Sequence, residues 1–166
     1  MTNKDELITE SDLKWLEKYI TNPSPTGNEQ EGQKIWLEHI KPNVDDHFSE
    51  TYGCTIGVNN PGQEFKVVIE AHADEIAWYV HKIGEDGFIH VEETGGTDPG
   101  IAPSRRVNIY TEKGPVQAMF GWPPIHTRET SDDAPKKSTI FVDCGCTTKE
   151  EVEELGIQIG DYIVYD

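Results

Sequence analysis

A histidine and an aspartate two positions apart, His72 and Asp74, are the side chains of this sequence best suited to chemistry. They follow the apolar run Phe65–Ile69, which predicts a buried strand with both residues just beyond its end. A metal-bound imidazole commonly donates its second ring N–H to a carboxylate, which fixes the tautomer of the ring. The spacing favours His72 as a metal ligand oriented by Asp74. The competing interpretation is a surface histidine beside solvated acids.

Co-ligands for His72 are few, although a tetrahedral metal site needs three or four protein ligands. The nearby carboxylates and the histidines of later strands are Glu70, Glu75, His81 and His90. A Pro-rich stretch at 122–129 carries His126 and Arg128 and is interpreted as either a ligand-contacting loop or a rigid connection. The sequence contains no glycine-rich phosphate loop and no serine elbow.

Three cysteines, Cys54, Cys144 and Cys146, lack the spacing of a disulfide framework, which predicts reduced thiols in a cytoplasmic protein. The pair Cys144-Gly145-Cys146 has no second Cys or His pair near it in sequence. We therefore interpret these two cysteines as small, buried and inert.

Acidic residues dominate the charge, with 31 Asp and Glu against 14 Lys and Arg and a net charge of -17. This balance argues against nucleic acid and anionic membranes as partners, because both require a positive surface. No apolar stretch reaches the length of a membrane span. The polar N-terminus MTNKDELITE has no signal-peptide core, so we expect a cytoplasmic location.

Two helices followed by strands are predicted before His72, as at the beginning of an α/β sheet domain. The first helix begins near Thr9, the second runs from about Asn28 or Glu29 to Ile40, and short strands follow at 48–52 and 55–58.

Beyond Asp74, short β runs recur between turns, which predicts a small β-barrel or sandwich. The runs are 76–83, 88–92, 107–111, 116–120, 139–142 and 162–165, and the turns lie at 85–87, 95–96, 112–114 and 131–135. One helix, capped by Thr148 and stopped at Gly156, interrupts them. A boundary near Asp74–Ile76 therefore separates residues 1–75 from residues 76–166.

Several stretches together resemble one family, the glutamyl or TET-type aminopeptidases, which are metallopeptidase family 42 of the clan with two co-catalytic metals. They occur in the family's order over nearly the whole chain. They are SPTGNE (24–29), AHADEI (71–76), GGTDP (95–99), RVNI (106–109), GWPP (121–124) and the closing run IFVDCGCTTKEEVEELGIQIGDYIVYD.

The resemblance implies an α/β fold class: the front part of a metallo-aminopeptidase sheet domain, followed by an inserted β-rich PDZ-like or barrel-like module. That module, residues 76–166, would serve dimer contacts, and residues 1–75 would belong to the catalytic domain. The resemblance also implies that His72 ligates one of two divalent ions, zinc or cobalt, and that Asp74 orients it. The activity implied is hydrolysis of N-terminal residues from peptide substrates by a homo-oligomer.

The chain departs from the family because five of the usual functional positions have no counterpart in its 166 residues. We therefore expect this chain to be the N-terminal part of such an enzyme, with an incomplete set of metal ions and no activity by itself. The alternative is a non-catalytic protein–protein assembly module, and a polysaccharide hydrolase ranks last. Smaller departures, Ala77-Trp78 and Ile125 before His126, bear on substrate preference.

Overall fold

The structure is a computed structural model that describes residues 8–128 and 134–166. It confirms a mixed α/β fold with a closed β-barrel. Two compact units make up the chain, Met1–Glu75 and Ile76–Asp166. Within the described ranges, no helix has both the length and the apolar character needed to cross a membrane.

The first unit contains two helices and a hairpin. Helix α1 spans Glu10–Ile20 and α2 spans Gln30–Ile40, followed by a 3₁₀ turn at Lys41–Asn43, and strands β1 (Asp46–Ser49) and β2 (Thr55–Val58) pair antiparallel. The predicted start of α1 is confirmed. The Thr9 hydroxyl accepts the Asp12 N–H, and the Asp12 carboxylate accepts the Thr9 N–H, which forms a capping box.

The predicted buried strand Phe65–Ile69 is wrong for the described chain. The segment has no strand assignment, and the exposed fractions of Phe65, Val67, Val68 and Ile69 are 84%, 75%, 83% and 95%. An apolar run becomes a buried strand only where neighbouring strands pair with its backbone and other elements cover its side chains. Residues 8–75 provide neither for this segment, although its apolar character remains that of a core strand.

Helix α1 also presents its apolar stripe to solvent, since the exposed fractions of Leu13, Leu16 and Ile20 are 56%, 43% and 66%. Trp36 on α2 is half-buried. The buried residues among 8–75 are Ser24, Pro25 and Gly32, none of which has a large apolar side chain. A unit of this composition lacks the buried apolar area that normally offsets chain entropy.

The second unit is a six-stranded antiparallel barrel. Its strands are β3 (Ala77–Ile83), β4 (Ile89–Thr94), β5 (Arg106–Thr111), β6 (Gly114–Gly121), β7 (Phe141–Asp143) and β8 (Tyr162–Tyr165). They close in the order β3-β4-β7-β6-β5-β8. All six predicted β runs correspond to these strands, with β7 beginning two residues later than expected because Thr139 lies in a turn.

Alternating side chains of these strands fill the barrel, as the period of two requires. Trp78 is completely buried, packs edge-on against Phe120 with ring centroids 5.2 Å apart, and donates its indole N–H to the Tyr165 hydroxyl at 3.3 Å. The core continues through aliphatic residues of every strand, including Ile109 and Ile163. The structure therefore places Trp78, which the sequence linked to substrate preference, in the packing of the barrel.

Helix α3 spans Lys149–Glu154 and begins where the cap predicts, since the Thr148 hydroxyl accepts the Glu151 N–H at 3.2 Å. The Glu151 carboxylate bonds to the N–H of Thr147, one residue before the cap, at 2.7 Å. Gly156 ends the helix with a φ of 93°. Of the predicted turn at 131–135, residues 131–133 lie outside the described ranges.

Substituting Asp161→Asn is expected to stabilise the barrel unit most at neutral pH. Burial raises the pKa of the Asp161 carboxyl, although the side chain accepts the Gln158 N–H at 2.9 Å. A raised folded-state pKa contributes stability below the unfolded pKa, and that stability is lost as the pH rises through the folded value. The advantage of the variant should therefore grow with pH and then level off above the folded-state pKa. Urea unfolding across pH 3–7 measures it, and a difference independent of pH would contradict the assignment.

Candidate functional site

The structure brings His72 and Asp74 together as the sequence predicts. The His72 Nδ1 lies 2.9 Å from the main-chain oxygen of Asp74 and 3.1 Å from its Oδ1. With its proton on Nδ1, the ring donates to both oxygens, which leaves the lone pair of Nε2 for a metal. The imidazole is 84% exposed, so a ligand can approach it from solvent.

Asp74 is held from its other side by Thr26, whose hydroxyl donates to Oδ2 at 2.6 Å. The Thr26 hydrogen bond, followed by the contact with His72, lowers the pKa of the Asp74 carboxyl. The carboxylate is therefore ionised at neutral pH and engaged at both oxygens. The three side chains form a continuous Thr26–Asp74–His72 chain of hydrogen bonds.

The segment 24–26 is joined through Ser24 by hydrogen bonds to Glu75, the residue that follows Asp74. The Ser24 N–H donates to Glu75 Oε1 at 2.7 Å, and the Glu75 N–H donates to the Ser24 main-chain oxygen at 2.9 Å. Pro25 and Glu75 form an isolated parallel bridge. Gly32 of α2 leaves room for the Ser24 side chain, because a Cβ at position 32 would lie 2.5 Å from the Ser24 Oγ.

Sequence reasoning did not assign a role to Ser24 or Thr26. The stretch SPTGNE entered the sequence analysis only as a family-like motif, and its hydroxyls do not by themselves specify a partner 48 residues away. Glu75, considered as a possible metal ligand, instead binds the Ser24 N–H.

The described residues do not by themselves fit a metal centre. Among residues 8–128 and 134–166 there is no group of three or more His, Cys, Asp or Glu side chains placed to hold an ion. His81 and His90 are exposed on β3 and β4 of the barrel unit. His72 is thus one candidate ligand, fewer than the three or four that a zinc site requires.

Residues within the stretch 122–128 contact one another. The Arg128 guanidinium lies 3.3 Å from the Trp122 ring centroid, and its Nε donates to the Pro123 main-chain oxygen at 2.8 Å. These contacts favour the rigid connection over the ligand-contacting loop. Glu129, the last residue of the predicted loop, lies outside the described ranges.

A cavity of about 800 Å³ lies within the barrel unit and is lined by both Lys and Glu side chains, including Lys113 and Glu153. None of the predicted site residues lines it. The Lys113 Nζ already donates to the Glu154 main-chain oxygen at 2.8 Å.

The chain thus consists of a helix-and-hairpin unit that ends in a histidine–aspartate pair and a unit that forms a closed β-barrel. The family model described as M42 glutamyl aminopeptidase matches residues 53–166. Lysyl aminopeptidase of Pyrococcus furiosus is 30% identical over 152 residues, which cover 90% of this chain and 44% of that protein.

Solved structures show the same fold. A TET aminopeptidase from a Thaumarchaeota archaeon superposes with a TM-score of 0.89 at 24% identity, covering 94% of this chain and 45% of that one. The TET1 peptidase of Pyrococcus horikoshii, which can assemble into a tetrahedron or a large octahedral shell, gives 0.81 at 27% identity, covering 93% and 46%.

This chain belongs to the M42 glutamyl aminopeptidase family. It spans somewhat less than half the length of the relatives described above.

Proposed function

We propose that this chain is the N-terminal part of a metal-dependent aminopeptidase that releases N-terminal residues from peptides. In this proposal His72 ligates one of two divalent ions, zinc or cobalt, and Asp74 orients the ring. The Thr26–Asp74–His72 hydrogen bonds carry the assignment, because they point an available ring nitrogen away from a carboxylate held in place. Family membership supplies the reaction class.

The other ligands would come from polypeptide beyond these 166 residues, since the described residues supply one. We therefore propose that the chain alone does not hydrolyse peptides. Residues 1–75 would contribute to a catalytic α/β domain, and residues 76–166 would form the dimerisation module of a cytoplasmic homo-oligomer. The assignment of residues 1–75 to a larger domain is supported by the exposed apolar segment Phe65–Ile69 and the exposed apolar stripe of α1. Apolar surfaces of this kind are normally covered by further protein.

A non-catalytic assembly module is the second candidate. The absence of a three-ligand group among the described residues favours it, and so does the barrel, which is complete by itself. The related TET1 peptidase can assemble into a tetrahedron or a large octahedral shell, which supports a role in assembly. Both candidates predict self-association of the chain, and a monodisperse monomer in light scattering would count against both.

A chimaera separates the two candidates. Residues 1–166 replace the matching part of the Pyrococcus furiosus lysyl aminopeptidase, and peptide hydrolysis is measured with zinc or cobalt beside the 166-residue chain. We expect activity in the chimaera and none in the chain alone. His72→Ala should lower the metal affinity or activity of the chimaera by at least about 10–100-fold, because a ligand contributes no less than its supporting residues.

The matched control is His47→Ala, which removes another exposed histidine from strand β1. This variant should retain full activity. A folded chimaera in which His72→Ala leaves both metal content and hydrolysis unchanged would remove His72 from the site. Hydrolysis by the chain alone would show that its ligand set is complete.

A further inference from the structure

The loop between β7 and α3 carries two cysteines separated by one glycine, and the proposed peptidase function makes no use of them. Both Cys144 and Cys146 are half-buried and pack against the core cluster of the barrel. The structure contains them as free thiols. Each is therefore anchored on one side by the core and open on the other to small molecules.

Gly145 turns the chain so that the two cysteines approach each other. Its φ of 86° lies in the left-handed region, and its N–H donates to Asp143 Oδ1 at 2.8 Å. Cys144 and Cys146 flank this glycine directly, and both side chains pack against the same core cluster. Residues spaced i and i+2 have Cα atoms at most about 7 Å apart, which is near the upper limit of the separation that a disulfide bridges.

We propose that Cys144 and Cys146 form a redox-active dithiol that is oxidised to an intraloop disulfide by small-molecule disulfides. This revises the interpretation of the pair as inert. The feature that carries the proposal is the juxtaposition of two solvent-reachable thiols across a left-handed glycine.

The reaction is thiol–disulfide exchange in two steps. The Cys146 thiolate attacks one sulfur of a disulfide R–S–S–R, forming a mixed disulfide and releasing R–S⁻. Cys144 then loses its proton to water and attacks the Cys146 sulfur, which releases the second R–S⁻. The chain gives up two electrons and two protons, and the small-molecule disulfide is reduced to two thiols.

The order of attack follows from burial. Desolvation, followed by the neighbouring Cys146 thiol, raises the pKa of the Cys144 thiol to about 11. Only a thiolate attacks a disulfide efficiently, so Cys144 is the slower first nucleophile and serves as the resolving thiol. Attack within one loop overcomes this handicap, because the partner sulfur is already adjacent.

Disulfide formation suits this pair better than metal chelation. Two sulfurs complete a disulfide by themselves, whereas a structural zinc site needs four ligands. No group of three or more candidate ligands includes these cysteines within the described parts of the chain.

The test uses the full chain with Cys54→Ser, which removes the third, exposed thiol and leaves the pair untouched. The folded protein, first treated with a chelator, is equilibrated in mixtures of reduced and oxidised glutathione, quenched with an alkylating reagent and weighed intact. We expect both thiols to disappear together with the loss of two hydrogens. The intraloop disulfide should exceed the glutathione adduct by at least about tenfold. The same chain in urea should form it about tenfold less readily, because the fold no longer holds the thiols together.

Single substitutions test the order of attack. In the Cys54→Ser background, Cys144→Ser should accumulate the glutathione adduct at Cys146 rapidly, whereas Cys146→Ser should react more slowly at Cys144. Thiols that stay free in oxidised glutathione, a preponderance of mixed or intermolecular disulfide, or equal ring closure in folded and urea-treated chains would each overturn the proposal. None of these results depends on peptidase activity, so they are independent of the proposed function.

Discussion

Replacing Trp78 with alanine is expected to lower the free energy of unfolding of the barrel unit by about 3–5 kcal/mol. The indole is completely buried, packs against Phe120 and donates to the Tyr165 hydroxyl, so its removal opens a large cavity and deprives that hydroxyl of a donor. Domains of this size have stabilities of about 5–15 kcal/mol, so the change takes a large share of the total.

Urea unfolding followed by far-UV circular dichroism measures this effect. Ile159→Ala is the control within the same unit, because its side chain is 70% exposed and should change the stability by no more than about 0.5 kcal/mol. Trp78→Phe should fall between the two, since it keeps an aromatic ring but loses the N–H donor. Equal losses in Trp78→Ala and Ile159→Ala would show that Trp78 does not anchor the core.

Gly87→Ala is expected to destabilise the barrel unit by about 2–4 kcal/mol. Gly87 has a φ of 80°, and an added Cβ would lie 2.5 Å from the main-chain oxygen of Cys146. The obstacle is backbone, so it cannot be relieved by rotating a side chain. Backbone strain and steric overlap therefore add at this position.

Gly160→Ala provides the matched control for the overlap. Its φ is 96°, yet no heavy atom lies within 4 Å of the added Cβ, so it should cost only the backbone strain of about 1–2 kcal/mol. Both variants are compared by thermal and urea unfolding. Losses of the same size would mean that the loop of Cys146 moves aside freely when Gly87 acquires a side chain.

Local signals were the most predictable part of the structure. Thr9 with Asp12, and Thr148 with the Glu151 N–H, define helix starts because a cap needs only side chains within a few residues. The barrel strands were predictable because each strand of a barrel with a packed interior alternates inward-facing apolar residues with outward-facing polar ones. His72 and Asp74 meet as predicted for a similar reason, since they are two residues apart.

Contacts between distant parts of the chain were not predictable in this way. The Thr26–Asp74 hydrogen bond joins residues 48 apart in sequence, and nothing in the local pattern of SPTGNE specifies that partner. The ring order β3-β4-β7-β6-β5-β8 likewise departs from chain order, so no local alternation could have defined it. Strand pairing depends on which edges are available, which is a property of the assembled sheet.

The sequence alone determined that this protein carries a histidine–aspartate pair near the boundary between a pattern of helices and strands and a pattern of short β runs. It also determined that the motifs follow the order of one family. Only the tertiary structure decided which side chains are covered. Phe65–Ile69 has the composition of a core strand and lies exposed, whereas Trp78 lies at the centre of the barrel. The reason is that apolar character is a property of a residue, while burial requires neighbours, and the described residues supply them for Trp78 and not for Phe65–Ile69.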